Sequence, residues 1–388
     1  MKAKILGADI LMIQRIIIFF CLFLSSLNIV NAGTQPYILK DLSTNQILEK
    51  NEENILVPMG SLVRLVILYS VLDELEKQKI DLTEKVRFAT KKKKVQIMSL
   101  KVQTNDSITY QRLLKAYLIT GFDDIGDFLI QALWKENALQ IVQRKMRQIP
   151  LDTLQLHHLQ PVRDDSQSLS VKDVLRLSRV LIQRFPRILE WSQRREFVYK
   201  KKKFANTNVL LGRNVTVQGL FLQEYKDLWS GVIYSKNQVT SDESREILLV
   251  RMNQDNQQDL SRSLSNLLVS TYRDYSILPV FKKNEKVAKI PVLRGDVHEV
   301  TLEVQRDVFI TFARLQFDDY KKENLLVQLE YQSPLVAPIQ KGQNIGYLKL
   351  FYDGIRKARI PVYATHDVEK GSWWDQLYAA FKFTFLEL

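Results

Sequence analysis

Pro58-Met59-Gly60-Ser61-Leu62-Val63-Arg64-Leu65 opens an apolar, helix-like run that ends near Glu76. Serine is a favoured residue at a helix start, and a basic residue follows it three positions on. Spacing i, i+3 places both side chains on one helix face. A lysine at the second position could shed its proton and activate the serine. Arg64 cannot, because a guanidinium stays protonated at any working pH. In isolation the pair reads as an N-cap followed by an ordinary arginine, so the surroundings must decide what it is.

The N-terminus reads as a secretory signal. Lys2, Lys4 and Arg15 are basic, Ile16 to Leu24 is an apolar core, and Val30-Asn31-Ala32 offers small residues to a signal peptidase. Residues 1–32 are therefore expected to be removed, leaving Gly33 first. The alternative is an uncleaved anchor, for which the apolar core is short. Cys21 is the sole cysteine, so the mature chain is expected to have no disulfide, thiol nucleophile or Cys-ligated metal. Loss of Lys2, Lys4, Arg15 and Asp9 lowers the formal net charge from +13 to +11. A basic exported protein meets anionic head groups and cell-wall polymers, not nucleic acid.

The other end is aromatic. From Trp373 to Leu388, helical spacing collects Trp374, Leu377, Tyr378, Phe381, Phe385 and Leu388 on one stripe, with Ser372 as N-cap. Trp373 and Trp374 at the entry suit a membrane interface. Residues 367–388 are thus expected to be an amphipathic helix that binds a membrane surface, chiefly through Trp373, Trp374, Leu377, Phe381 and Phe385. The competing reading is a terminal helix packed on its own domain.

Between these ends the pattern changes once. Residues 36–50 read as a hairpin around Ser43-Thr44-Asn45. Helices are expected over 61–76, 110–120, 123–135 and 171–185, the second and third joined at Gly121. Strands are expected over 215–221, 229–234 and 247–252, then a helix over 260–275. Strands at both ends of a helical middle predict an α+β domain, residues 33–278. Its antiparallel sheet would hold the first and last strands side by side, with a helical subdomain between. After the charged run Lys282 to Lys286, short alternating strands predict a small all-β sandwich over 279–366. The lysine runs 91–94 and 200–203 read as solvated loop or hairpin faces, or as contacts with an anionic polymer or lipid.

Signal, Ser-x-x-basic helix, mixed domain, β domain and aromatic helix occur here in one order. That order resembles the low-molecular-mass penicillin-binding proteins, the D-alanyl-D-alanine carboxypeptidases of peptidoglycan. The resemblance runs from about Pro36 to Leu388. It rests most firmly on Leu75-Glu76-Lys77-Gln78-Lys79-Ile80-Asp81-Leu82, Asn206-Thr207-Asn208-Val209-Leu210-Leu211, and Pro334 to Gly346. It implies a β-lactamase/transpeptidase-like first domain and three catalytic motifs. Ser61 takes the place of the acylated serine of Ser-x-x-Lys, with Arg64 replacing the lysine. Thr120-Gly121-Phe122 takes the place of Ser-Gly-Asn, so Thr120 keeps a hydroxyl and Phe122 replaces the asparagine. Phe221-Leu222-Gln223 takes the place of Lys-Thr-Gly, and no Lys-Thr-Gly or Lys-Ser-Gly occurs anywhere in the chain.

Acyl transfer needs an activated nucleophile, a proton for the leaving amine and an anchor for the substrate carboxylate. Each lost group would cost about 10²–10⁴-fold in rate, though such groups act as a unit and their losses do not add. No substitute machinery stands out. His157, His158, His298 and His366 lack metal-ligand spacing, there is no Gly-rich phosphate loop, and no cofactor is expected. A carboxylate base from Asp123 or Asp124 is a minor alternative, and Asp164-Asp165 read as loop residues.

Three functions follow from the resemblance. The first is a catalytically inactive relative, periplasmic and attached to the outer face of the cytoplasmic membrane. It would bind peptidoglycan peptide or an envelope protein. The second is a residual serine carboxypeptidase with Ser61 as nucleophile. The third is a membrane-attached structural adaptor.

Overall fold

A computed structural model describes residues 35–87, 97, 99–102, 106–160, 166–225, 228–238, 244–254, 256–314 and 324–372. The signal segment, Lys91 to Lys94, Asp164-Asp165 and everything from Trp373 on lie outside the described residues. The chain forms two compact units. The first comprises Met1–Leu39, Glu49–Lys236 and Leu248–Ser265, and the second Lys40–Leu48, Asn237–Ile247 and Asn266–Leu388.

The elements up to residue 274 are strands β1 (Tyr37–Asp41), β2 (Ile47–Asn51) and β3 (Leu56–Pro58), helix α1 (Val63–Lys77), and strands β4 (Lys85–Arg87) and β5 (Ser107–Thr109). Helices α2 (Tyr110–Thr120), α3 (Asp123–Trp134) and α4 (Ala138–Met146) follow, then β6 (Ser168–Ser170), α5 (Val171–Arg184) and α6 (Arg187–Ser192). The chain continues through β7 (Glu196–Tyr199), β8 (Lys202–Ala205), β9 (Val217–Tyr225), β10 (Leu228–Gln238), β11 (Ser244–Gln254) and α7 (Gln257–Asp274). The main sheet has the order β2-β1-β11-β10-β9, so its first and last strands are neighbours, as the strand–helix–strand pattern requires. β10 pairs antiparallel with β9, which forms an edge.

Helix α1 is the hub of the first unit. From Val63 to Asp73 every residue is buried, and the helix touches α2, α3, α4 and α5. A helix apolar all round is a central one. Its one buried acid, Asp73, is met by Lys145 from α4, by Lys77 at 3.0 Å and by Arg184 from α5 at 2.5 Å. These cations hold the Asp73 carboxylate below its usual range, against the upward push of burial. Side-chain caps set other helix starts. Thr109 Oγ1 accepts from Arg112 N–H at 3.2 Å, and Ser170 Oγ from Asp173 N–H at 3.2 Å.

The second unit carries strands β12 (Tyr275–Phe281), β13 (Lys286–Pro291), β14 (Glu299–Glu303), β15 (Val308–Ala313), β16 (Leu325–Tyr331), β17 (Asn344–Tyr352) and β18 (Ile355–Ala364). A sheet of order β13-β14-β18-β17-β16 and the pair β12-β15 share one core, which includes Val300, Leu302, Ile310, Leu348, Leu350 and Val362. The unit also encloses a charged centre. Asp41 is fully buried and accepts from Arg245 Nε at 2.8 Å, Thr311 Oγ1 at 3.0 Å and Thr44 N–H at 3.1 Å. Arg245 also donates to the Tyr275 carbonyl at 2.9 Å.

The structure departs from the expected elements in physical detail. A 3₁₀ turn, Gly60–Leu62, precedes α1, so the α-helix begins two residues later than the sequence reading. Residue 275 leaves the preceding helix and starts β12. The run Lys282 to Lys286 is a corner between β12 and β13, closed by Glu285 accepting from Lys282 N–H at 2.7 Å. The lysines at 200–203 form a hairpin with β7 and β8, and Lys200 and Lys201 take φ 45° and 65° in its turn.

Candidate active site

The start of α1, the α2–α3 junction and strand β9 converge in the first unit. Ser61 lies in the 3₁₀ turn ahead of α1, and that turn contacts β9. Arg64, one helical turn on, is 4 % exposed. Its guanidinium lies over the Phe221 ring, 4.7 Å from the centroid, and 6.0 Å from the centroid of Tyr117. The positions assigned to the first and third motifs therefore meet as a cation and an aromatic face.

Gly121 ends α2 with φ +69°, a left-handed conformation natural to glycine. It has a second reason to be glycine, because a Cβ there would overlap Arg64 Nη2. The guanidinium thus rests on the bare backbone of the α2–α3 turn. Tyr117 is seated the same way: a Cβ at Gly126 of α3 would come within 2.7 Å of its hydroxyl. Residues Tyr117 and Gly126 were not singled out by sequence reasoning. The only signal was the helical phase that puts Tyr117 one turn before Gly121.

Arg64 Nε and Nη1 are buried and have no hydrogen-bond partner among the described residues. Burial pushes the Arg64 pKa down from its usual value, opposed by Tyr117 and by the negative charge of Asp123. The Asp123 side chain reaches solvent, yet partial burial raises its pKa; the Arg64 cation opposes that shift, while Asp127 and Asp124 add to it. Burial likewise raises the Tyr117 phenol.

The other expected site residues have local duties. Thr120 Oγ1 donates to the Ala116 carbonyl at 2.7 Å and accepts from Phe122 N–H at 3.3 Å, so its hydroxyl is engaged within its own turn. Phe122 packs edge-on to Phe204 of β8, ring centroids 5.7 Å apart. Phe221 and Leu222 are fully buried on opposite faces of β9. Leu222 meets Leu264 of α7 over Gly231, where a Cβ would contact both. Asp124 accepts from Ser99 N–H at 2.8 Å and Oγ at 2.6 Å, which makes it a tether.

The Asn206-Thr207-Asn208 segment anchors this corner. Asn206 Nδ2 donates to the carbonyls of Ser192 at 3.1 Å and Arg194 at 2.8 Å, and its Oδ1 accepts from Asn208 N–H. Thr207 N–H donates to the Ile119 carbonyl at 3.0 Å, pinning the segment to the end of α2. Asn208 Nδ2 and Thr207 Oγ1 are buried without partners among the described residues.

Known proteins share this fold. Residues 275–370 match the family of the penicillin-binding protein 5 C-terminal domain. The D-alanyl-D-alanine carboxypeptidase DacF of Bacillus subtilis is 21% identical over 345 residues, covering 87% of this chain and 86% of that protein. Penicillin-binding protein 5 of Haemophilus influenzae superposes with a TM-score of 0.73 at 20% identity, over 88% of this chain and 99% of that one. A peptidoglycan synthesis regulatory factor (PBP3) of Streptococcus pneumoniae gives a TM-score of 0.67 at 16% identity, over 86% of this chain and 98% of that one. These two structures establish the fold: a transpeptidase-like α+β domain followed by a β domain. Residues 26–221, half of the chain, match the D-alanyl-D-alanine carboxypeptidase family model, and the protein belongs to that family.

Proposed function

We propose that this protein is a catalytically silent member of its family, which works in the cell envelope by binding a peptide of peptidoglycan at the former catalytic corner. One observation carries the reading. The residue three positions after Ser61 is a buried arginine lying on Phe221, so the corner holds a fixed cation where a proton-transferring amine would be needed. The resemblance gives Ser61, Arg64, Thr120, Phe122 and Phe221 their place in this corner. In this reading Ser61 keeps the position of a nucleophile without an activating base.

The unpartnered donors Arg64 Nε, Arg64 Nη1 and Asn208 Nδ2 support a ligand that brings acceptors, as a peptide carboxylate does. Phe122 and Phe221 make the corner more apolar than an amide and an amine would. Export to the periplasm, and attachment to the outer face of the cytoplasmic membrane through Trp373, Trp374, Leu377, Phe381 and Phe385, belong to the same proposal. Among the described residues no helix is long and apolar enough to cross a membrane.

The test is to incubate the full chain with a labelled β-lactam and weigh it. No adduct, with no D-alanine released from a muramyl pentapeptide, is the expected result. A mass increment on Ser61 that disappears in Ser61→Ala would overturn the proposal in favour of a residual serine carboxypeptidase. Calorimetry with the pentapeptide should then show binding that weakens in Arg64→Met. A second reading, a structural adaptor with a closed corner, is favoured by the complete burial of Phe221 and Leu222. Absence of any pentapeptide binding would select it.

A further inference from the structure

Beside this corner, helix α2 and the β7–β8 hairpin carry a concentration of positive charge that no described function uses. Between Gln193 and Asn214 the chain has seven cations, Arg194, Arg195, Lys200 to Lys203 and Arg213, against one acid, Glu196. Two of the cations are neutralised: Lys200 pairs with Asp106 at 2.7 Å and Lys203 with Glu196 at 2.8 Å. Among the described residues no carboxylate lies within ion-pair reach of the others, nor of Arg112 and Lys115 on α2.

Ring contacts gather part of this charge on one surface, and the chain carries the rest close by. Arg112 donates from Nη2 to the Val198 carbonyl at 3.0 Å, and its guanidinium is 5.9 Å from the Phe197 ring centroid and 6.0 Å from that of Tyr199. Lys115, one turn along α2, holds its ammonium 5.7 Å from the Trp191 ring. Lys202 sits 4.8 Å over Phe204. Hairpin register pairs Phe197 with Phe204 and Tyr199 with Lys202, so these four share a face. Arg195 rests on Gly212, which brings exposed Arg213 beside it.

We propose that this surface is a binding track for a linear polyanion that bears repeated phosphate groups. The unpaired cations repel one another, and a polyanion relieves that repulsion while displacing its own counterions. Arginine forks match phosphate oxygens bidentately. Arg112, Lys115 and Lys202 are already laid on aromatic rings, so little side-chain freedom is lost on binding. The rings of Phe197, Tyr199, Phe204 and Trp191 are at most 8 % exposed, leaving no aromatic prong to enter a bilayer. Lysines on a hairpin turn and arginines on a loop suit a polymer that follows them. The track does not depend on the neighbouring corner being occupied.

Fluorescence polarisation of the full chain with labelled long-chain inorganic polyphosphate tests this. Kd is expected to rise about tenfold or more between about 50 and about 200 mM NaCl, as three or more released counterions require. The variant K201Q/K202Q/R194Q/R213Q should bind at least about tenfold more weakly, with its Tm unchanged, each charged contact with phosphate contributing on the order of one salt-sensitive ion pair. The control K282Q/K283Q/K286Q/K341Q, equal in charge and placed in the second unit, should bind as the parent does. Equal losses in both variants would reduce the effect to net charge and overturn the track. So would failure to bind polyphosphate, or patch-dependent recruitment to phosphatidylglycerol vesicles without polyphosphate binding, which would make the surface a membrane contact.

Discussion

Arg64 of α1 and Phe221 of β9 are in face contact, with the guanidinium carbon 4.7 Å from the ring centroid. The contact fastens the first turn of the central helix to the edge strand of the sheet. In the proposed reading these are the two positions where acyl-transfer chemistry would ask for amines, so a lysine at one of them does not rebuild the set.

Arg64→Lys is therefore expected to remain unacylated by a labelled β-lactam, as judged by intact mass. Phe122 and Phe221 would still withhold groups whose loss costs about 10²–10⁴-fold each. An adduct in this single variant would assign the whole deficit to position 64.

Gly121→Ala should destabilise the protein by about 2–4 kcal/mol, combining a positive-φ penalty with overpacking against the guanidinium. In an Arg64→Ala background only the backbone part, about 1–2 kcal/mol, should remain. Denaturant unfolding of both single variants and the double variant supplies the cycle. Strict additivity would disprove the contact.

Asp73→Asn should lose about 1–3 kcal/mol at pH 7, because Lys145, Lys77 and Arg184 lose a shared carboxylate and buried Lys145 keeps only Glu74, at 2.7 Å. The Asp73 pKa is lowered in the folded protein, so its contribution is present above the unfolded value of about 3.9 and fades as pH falls through the folded value. Urea unfolding of parent and variant should converge at acid pH. A gap that stays constant from pH 7 down to acid would refute the assignment.

Arg245→Met should be more damaging than the pair Arg245→Met/Asp41→Asn. The single change strands a fully buried carboxylate at a cost of about 3–5 kcal/mol, whereas the double change removes the charge as well. Thermal unfolding of both variants decides, and equal Tm values would show that Asp41 does not need its cation.

Periodicity made the scaffold legible. Helix α2 and the start of α3 fall where the apolar spacing and Gly121 predict them, and the flanking strands fix the sheet order. Short elements such as α4, α6 and β13 escaped, since six to nine residues give little phase information and their burial comes from partners distant in sequence. At the site, Arg64 and Phe221 were found by position in the chain. Their contact was invisible, because it joins a helix and a strand 157 residues apart in numbering. Tyr117 is a buried aromatic on a buried helix face, and no sequence pattern distinguished its role as a wall for the guanidinium.

The neighbouring placement of β1 and β11 also sets an order in time. Glu246 N–H donates to Ser43 Oγ at 3.0 Å across 203 residues of chain, and β10 and β9 can join β1 only through β11. Strand β1 must wait, unpaired on one side, until residues 244–254 have been made. Helices α1 to α5, whose partners are closer in sequence, can assemble earlier. Completion of the sheet is then a late, slow event with a large closure entropy, and an exposed β1 edge is the segment most in need of protection while the chain is incomplete.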